Sequence, residues 1–122
     1  MNGPADQVLE VTTELAGEVC VVHVAGRLDS MTSETFDARM QQIVPAGAAR
    51  LVLDLAQVGY VSSAGLRSLL MLLKQVKAGG GALVLAAVHP RVQDILDIAG
   101  FTPMFAIVAT PADALARLQS AP

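Results

Sequence analysis

Ser62 and Ser63 stand at the head of the segment Val61-Ser62-Ser63-Ala64-Gly65-Leu66-Arg67. An apolar run precedes them and an amphipathic run follows, so they fall on a strand-to-helix junction. Serine at such a junction caps the first turn by accepting from a free backbone N–H. The same position suits a covalent phosphate. A helix N-terminus presents unpaired N–H groups and the positive end of the dipole. A phosphoserine there adds about −1.5 to −2 charge without local unfolding, and any docked partner feels it.

Other chemistry is sparse. A hydrolase elbow needs G-x-S-x-G, but Val61 stands where the first glycine is required before Ser63. Gly79-Gly80-Gly81 is not followed by Lys-Ser or Lys-Thr, so it is no phosphate loop, and it reads as a helix stop. Cys20 and His23 are separated by an odd number of strand positions. They therefore point to opposite faces and cannot share a metal ion. Asp29 and Asp54 fall near strand ends, where a carboxylate is commonly a loop anchor. His89 precedes Pro90 at a helix entry. No catalytic or metal-binding set emerges, so the chain is not expected to be an enzyme, and no cofactor is implied.

These residues need a scaffold, and 122 residues supply one domain, residues 1–122. Hydrophobic residues make up 53 % of the chain, enough for a buried core. The longest unbroken apolar run, Ala82 to Val88, falls short of the roughly 18 residues a membrane span needs. Residues 1–11 carry no signal-peptide pattern, and the single cysteine fits a reducing compartment. A cytoplasmic location without direct membrane insertion is expected. The net charge of −3, with no Trp and one Tyr, offers neither basic stripe nor stacking platform, so nucleic acid is not an expected partner.

Val-rich runs at Val8–Leu15 and Val19–Ala25 read as strands joined by a turn at Ala16-Gly17-Glu18. Thr32-Ser33-Glu34-Thr35 opens a helix capped by hydroxyls, with Phe36, Met40, Ile43 and Val44 on one face and Pro45 and Gly47 at its end. Arg50–Leu55 is a strand, and Gly59 and Tyr60 lie in a loop. The next helix puts Leu66, Leu69, Leu70, Leu73 and Val76 inward. Ala82–Val88 is a buried strand, Pro90 opens a helix to Gly100, Met104–Ala109 is a last strand, and Pro111 starts a final helix through Leu118. The fold class is α/β, in the order β-β-α-β-α-β-α-β-α: a mixed, mostly parallel sheet with about four helices. In such sheets functional groups gather beyond the carboxyl ends of the strands. Asp29, the stretch from Ala56 to Val61, Ser62, Ser63 and the His89 loop are expected there together.

Over roughly residues 8–116 the chain resembles the STAS domain family, specifically the stand-alone bacterial anti-sigma factor antagonists. Gly26-Arg27-Leu28-Asp29, the stretch from Thr32 to Phe36 and Leu51-Val52-Leu53-Asp54-Leu55 carry the resemblance. So do the block from Val58 to Leu66, Leu83-Val84-Leu85-Ala86 and the block from Val92 to Phe101. The family's usual block reads aspartate, serine, serine or threonine, glycine, leucine, and the first serine is phosphorylated. Alignment on Gly65 and Leu66 puts that serine at Ser63, with Ser62 at the aspartate position and Ala64 at the second hydroxyl. Ser62 stays as the alternative acceptor.

The resemblance implies a partner-switching anti-sigma factor antagonist that binds a serine-kinase anti-sigma factor when unphosphorylated. Phosphorylation breaks that complex, and a magnesium- or manganese-dependent serine phosphatase restores binding. The family also includes STAS subunits of membrane lipid or anion transport systems, the alternative role. The expected docking face comprises Asp29, Ser30, Thr32, Ser62, Ser63, Ala64, Arg67 and Met71. On the helix after Ser63, Arg67, Ser68, Met71, Lys74 and Gln75 are expected to point outward. Met71 is the anomaly, an adaptable apolar side chain among polar neighbours.

Overall fold

The computed structural model describes residues 8–44, 47 and 49–119. Five strands form one sheet in sequential order: β1 (Glu10–Ala16), β2 (Val19–Leu28), β3 (Arg50–Val61), β4 (Ala82–Ala86) and β5 (Ala106–Val108). A two-residue turn with Gly17 at φ 65° joins β1 antiparallel to β2. The positive φ suits glycine. The other pairs are parallel, and α1 (Ser33–Ile43), α2 (Ser63–Ala78) and α3 (Pro90–Ile98) make the crossovers. A strand order that advances one way, with crossovers of one hand, delivers all three helices to one face. α4 (Pro111–Gln119) packs on the other.

Strand alternation sorts the core accordingly. Val22, Val24, Leu51, Leu53 and Leu55 face the three crossover helices, where they meet Phe36 and Met40 of α1, Leu69 and Leu72 of α2, and Val92 and Leu96 of α3. Val19, Val21, Val52 and Val84 face Ala114 and Leu118 of α4. Cys20 packs on the first side, and burial pushes its thiol pKa up.

The strands differ in extent from the sequence reading. β3 does not stop at Leu55; it runs to Val61 and includes Gly59 and Tyr60. β2 likewise runs past Ala25 to Leu28, and its residues Ala25–Leu28 pair with positions 57–61 across two register shifts. β4 ends at Ala86 instead of Val88, because Ala87 turns to φ 55°, outside any strand conformation. Before β5, Thr102–Met104 form a short 3₁₀ turn, so that strand begins at Ala106. α1 ends at Ile43; Pro45, expected to stop it, lies outside the described residues.

Candidate functional site

The long β2–β3 pair carries the serine segment away from the rest of the sheet. β3 pairs with β4 only as far as Asp54–Ala86. Beyond that level it continues beside β2 alone and delivers Val61 next to Leu28. β4, which the His89 loop follows, ends level with Asp54, about 20 Å short of Val61 at roughly 3.3 Å per residue. His89 accepts instead from the Arg91 N–H at 3.2 Å and caps α3. The end of β2 and the end of β3 thus bring Asp29, Ser62 and Ser63 to one edge of the sheet, while His89 serves as the cap of α3.

Ser62 and Ser63 take different jobs. Ser62 is the N-cap of α2, half-buried, and its hydroxyl oxygen accepts from the Gly65 N–H at 3.3 Å. Its own N–H donates to the Leu28 carbonyl at 2.9 Å, which ties the head of α2 to the end of β2. Ser63 is the first helical residue and is exposed. Its hydroxyl makes no hydrogen bond among the described residues. An exposed serine oxygen thus stands at the positive end of a 16-residue helix.

The loop after β2 lies beside it. The Asp29 carboxylate accepts from the Met31 N–H at 2.9 Å and from Arg27 at 3.3 Å, and the Asp29 carbonyl accepts from the Thr32 and Ser33 N–H groups. Partial burial pushes the Asp29 carboxyl pKa up. Hydrogen bonds from the Met31 N–H, Arg27 and the Thr32 N–H outweigh that and hold it below its ordinary value. Arg27 also lies over the Tyr60 ring, 4.5 Å from its centroid. Asp29 and Asp54 are not a carboxylate pair, since Asp54 is engaged elsewhere, with His23 at 2.7 Å and the Ala56 N–H at 3.0 Å.

Ser30, Arg67 and Met71 are exposed, Met71 by 57 %, and Ala64 is half-buried. Thr32 is 2 % exposed, so it does not offer its side chain to a partner. Its hydroxyl donates to the Arg27 carbonyl at 2.6 Å and accepts from the Asp29 N–H at 3.0 Å. It braces the loop, and it makes no side-chain cap on α1. Ser68, expected to point outward, is buried beside Phe36 and Met40 of α1. Two surface features escaped the sequence reading: Met31, 66 % exposed at the loop tip, and the Arg27–Tyr60 stack. Met31 was signalled only by an apolar residue set among Ser30, Thr32 and Ser33.

Among the described residues no group of three or more His, Cys, Asp or Glu side chains could hold a metal ion. None of their helices is long and apolar enough to cross a membrane. What the fold and the site define is an open α/β sheet that presents a serine-headed helix beside a braced acidic loop. The chain belongs to the STAS domain family, whose pattern matches residues 10–114. It is 31 % identical over 113 residues to BtrV of Bordetella bronchiseptica, a proposed anti-sigma factor antagonist, covering 93 % of this chain and 97 % of that one. It is 27 % identical over 112 residues to the anti-sigma F factor antagonist of Paenibacillus polymyxa, covering 91 % and 96 %. The anti-sigma factor antagonist SpoIIAA shares its fold, with a TM-score of 0.76 at 20 % identity over 93 % of this chain and 99 % of that one in the unphosphorylated form. The phosphorylated form of the Bacillus protein aligns with a TM-score of 0.64 at 19 % identity over 88 % and 98 %.

Proposed function

We propose that this chain is an anti-sigma factor antagonist that works by partner switching. Unphosphorylated, it binds a serine-kinase anti-sigma factor and releases that factor's target. The kinase transfers the γ-phosphoryl group of ATP to the Ser63 oxygen. ADP leaves, and the hydroxyl proton passes to the kinase's base. The new charge, seated in the docked face, expels the partner. A magnesium- or manganese-dependent phosphatase hydrolyses the ester and resets the switch. This chain then needs only an acceptor hydroxyl and a docking face, in keeping with the sparse chemistry of its sequence.

The observation that carries this reading is the contrast between the two serines. Ser62 is occupied as a cap, whereas Ser63 is exposed and unengaged among the described residues. That contrast favours Ser63 over Ser62 as acceptor. The names of the two relatives and the two phosphorylation forms of SpoIIAA support the same reading. The test is incubation with ATP and a serine kinase encoded beside its gene, followed by mass spectrometry. Phosphate on Ser63, lost in Ser63→Ala and kept in Ser62→Ala, is the expected result. Phosphate on Ser62, or equal kinase affinity of the two forms, overturns it.

A further inference from the structure

Phe36 and Met40 of α1 and Met71 and Leu72 of α2 wall an open groove of about 230 Å³. That is below the roughly 300–1,000 Å³ of a small-molecule site, and it suits a single long side chain. The polar groups in it are unengaged. Ser68 is 3 % exposed, yet its hydroxyl makes no hydrogen bond among the described residues. No sealed side-chain oxygen or nitrogen among those residues lacks a partner, so the Ser68 oxygen opens into the groove that its residue lines. On the α1 wall the half-buried Asp37 carboxylate makes neither a hydrogen bond nor an ion pair among the described residues.

Other charges flank the groove without filling it. Glu34 lies one turn before Asp37 on α1, and Arg67 and Lys74 lie one turn before and one turn after Met71 on α2. None of the three lines the groove. At 3.6 residues per turn, Arg67 and Lys74 stand about 100° around α2 from the row that carries Ser68 and Gln75. Asp37 is therefore the one charged group among the lining residues. An occupant of apolar surface alone would strip water from Asp37 and Ser68 and leave both unpaired, which is costly. An acidic occupant would be repelled. What fits is a cation rich in donors, carried on an apolar stem.

We propose that the groove receives an arginine side chain of the kinase partner, its stem against Met40 and Met71 and its guanidinium shared between the Asp37 carboxylate and the Ser68 hydroxyl oxygen. This deepens the partner-switching reading and rests on it. The groove starts about 8 Å along α2 from Ser63 at 1.5 Å per residue, and Met71 belongs both to it and to the docking face. A partner seated over Ser63 thus covers the groove as well. Arginine suits it better than lysine. Its planar fork offers five donors to acceptors on two walls, and it is more weakly hydrated than an ammonium group.

Calorimetric titration of the kinase into the full chain tests this. Asp37→Asn keeps the shape of the side chain and should weaken binding at least about tenfold, as loss of one partner of a covered charge pair does, with an unchanged thermal midpoint. The same substitution should flatten the dependence of affinity on salt. Ser68→Ala should weaken binding several-fold. Replacing the kinase's arginines by glutamine one at a time, against the parent and against Asp37→Asn, should find one arginine whose loss costs nothing further in Asp37→Asn. That coupling is a readout that a merely structural role does not produce. A parent that binds the kinase, together with an Asp37→Asn variant that binds equally well, overturns the groove assignment and leaves partner switching standing. Coupling to a lysine, or to no cation, overturns it too. A parent that does not bind the kinase at all overturns both.

Discussion

Gly65 lies so close to Leu28 that a Cβ on the glycine would stand 2.3 Å from the Leu28 carbonyl oxygen. That oxygen also accepts the Ser62 N–H, so the head of α2 and the end of β2 meet backbone to backbone. A methyl group there must push against main chain and against Val61, whose Cγ1 would be 2.9 Å away. Gly65→Ala should cost about 1–3 kcal/mol, as overpacking does, and should lower phosphate incorporation at Ser63 by shifting it against the Asp29 loop. Urea unfolding measures the first effect and a kinase assay the second. Parental stability would show that the contact relaxes freely.

The division between the two serines makes a second prediction. Ser62→Ala removes the cap on Gly65 and should cost about 0.5–2 kcal/mol. Ser63→Ala removes a hydroxyl that caps nothing, so its denaturation midpoint should stay near that of the parent. A larger loss for Ser63→Ala than for Ser62→Ala would reverse the assignment of cap and acceptor.

Much of this was legible in the chain, because the signals were local. Strand alternation put Cys20 and His23 on opposite faces, and the junction before Leu66 located the helix head. What was not legible depended on neighbours distant in sequence. Gly59 and Tyr60 have loop character alone, yet the long β2 holds them in a strand and brings Tyr60 to Arg27. Ser68 reads as surface by type, but α1 covers it. Thr32 looks like a cap or a contact residue; its hydroxyl is consumed by Arg27 and Asp29. The choice between Ser62 and Ser63 needed the cap geometry itself.

The docking face makes a third prediction, resting on the partner-switching reading. Met71 lines a groove with Phe36, Met40 and Gln41 of α1, about 12 Å along the helix from Ser63 at 1.5 Å per residue. One partner footprint spans both. Met71→Asp and Arg67→Glu should each weaken kinase binding by more than about 1 kcal/mol, with little change in thermal midpoint because both side chains are exposed. Calorimetric titration against the kinase decides it. Two variants that bind as the parent does would move the footprint to Met31 and the Asp29 loop.

His23 makes the fourth prediction, and it concerns pH. Its Nδ1 lies 2.7 Å from the Asp54 carboxylate on β3, and its Nε2 lies 2.6 Å from the Glu14 carboxylate on β1. The imidazolium donates to both; a neutral ring can donate to one only. Hydrogen bonds to Glu14 and then Asp54, with their negative charge, raise the His23 pKa above its ordinary 6.5 against a smaller opposing effect of burial. Glu10, opposite Ala25 on the same face of the sheet, adds a further acid nearby. A group whose pKa is raised by folding stabilises the fold fully below its unfolded value and loses that contribution as pH rises through the folded value. The clasp joining edge strand β1 to β2 and β3 is therefore complete below pH 6.5 and weakens above it. The His23 ring-proton resonance should titrate with a midpoint above 6.5, and Glu14→Gln should lower that midpoint. Amide exchange in β1 should quicken across the same pH window, beyond its ordinary base catalysis, in the parent but not in His23→Gln. A midpoint at or below 6.5 would show that the two carboxylates do not hold the ring in its charged form.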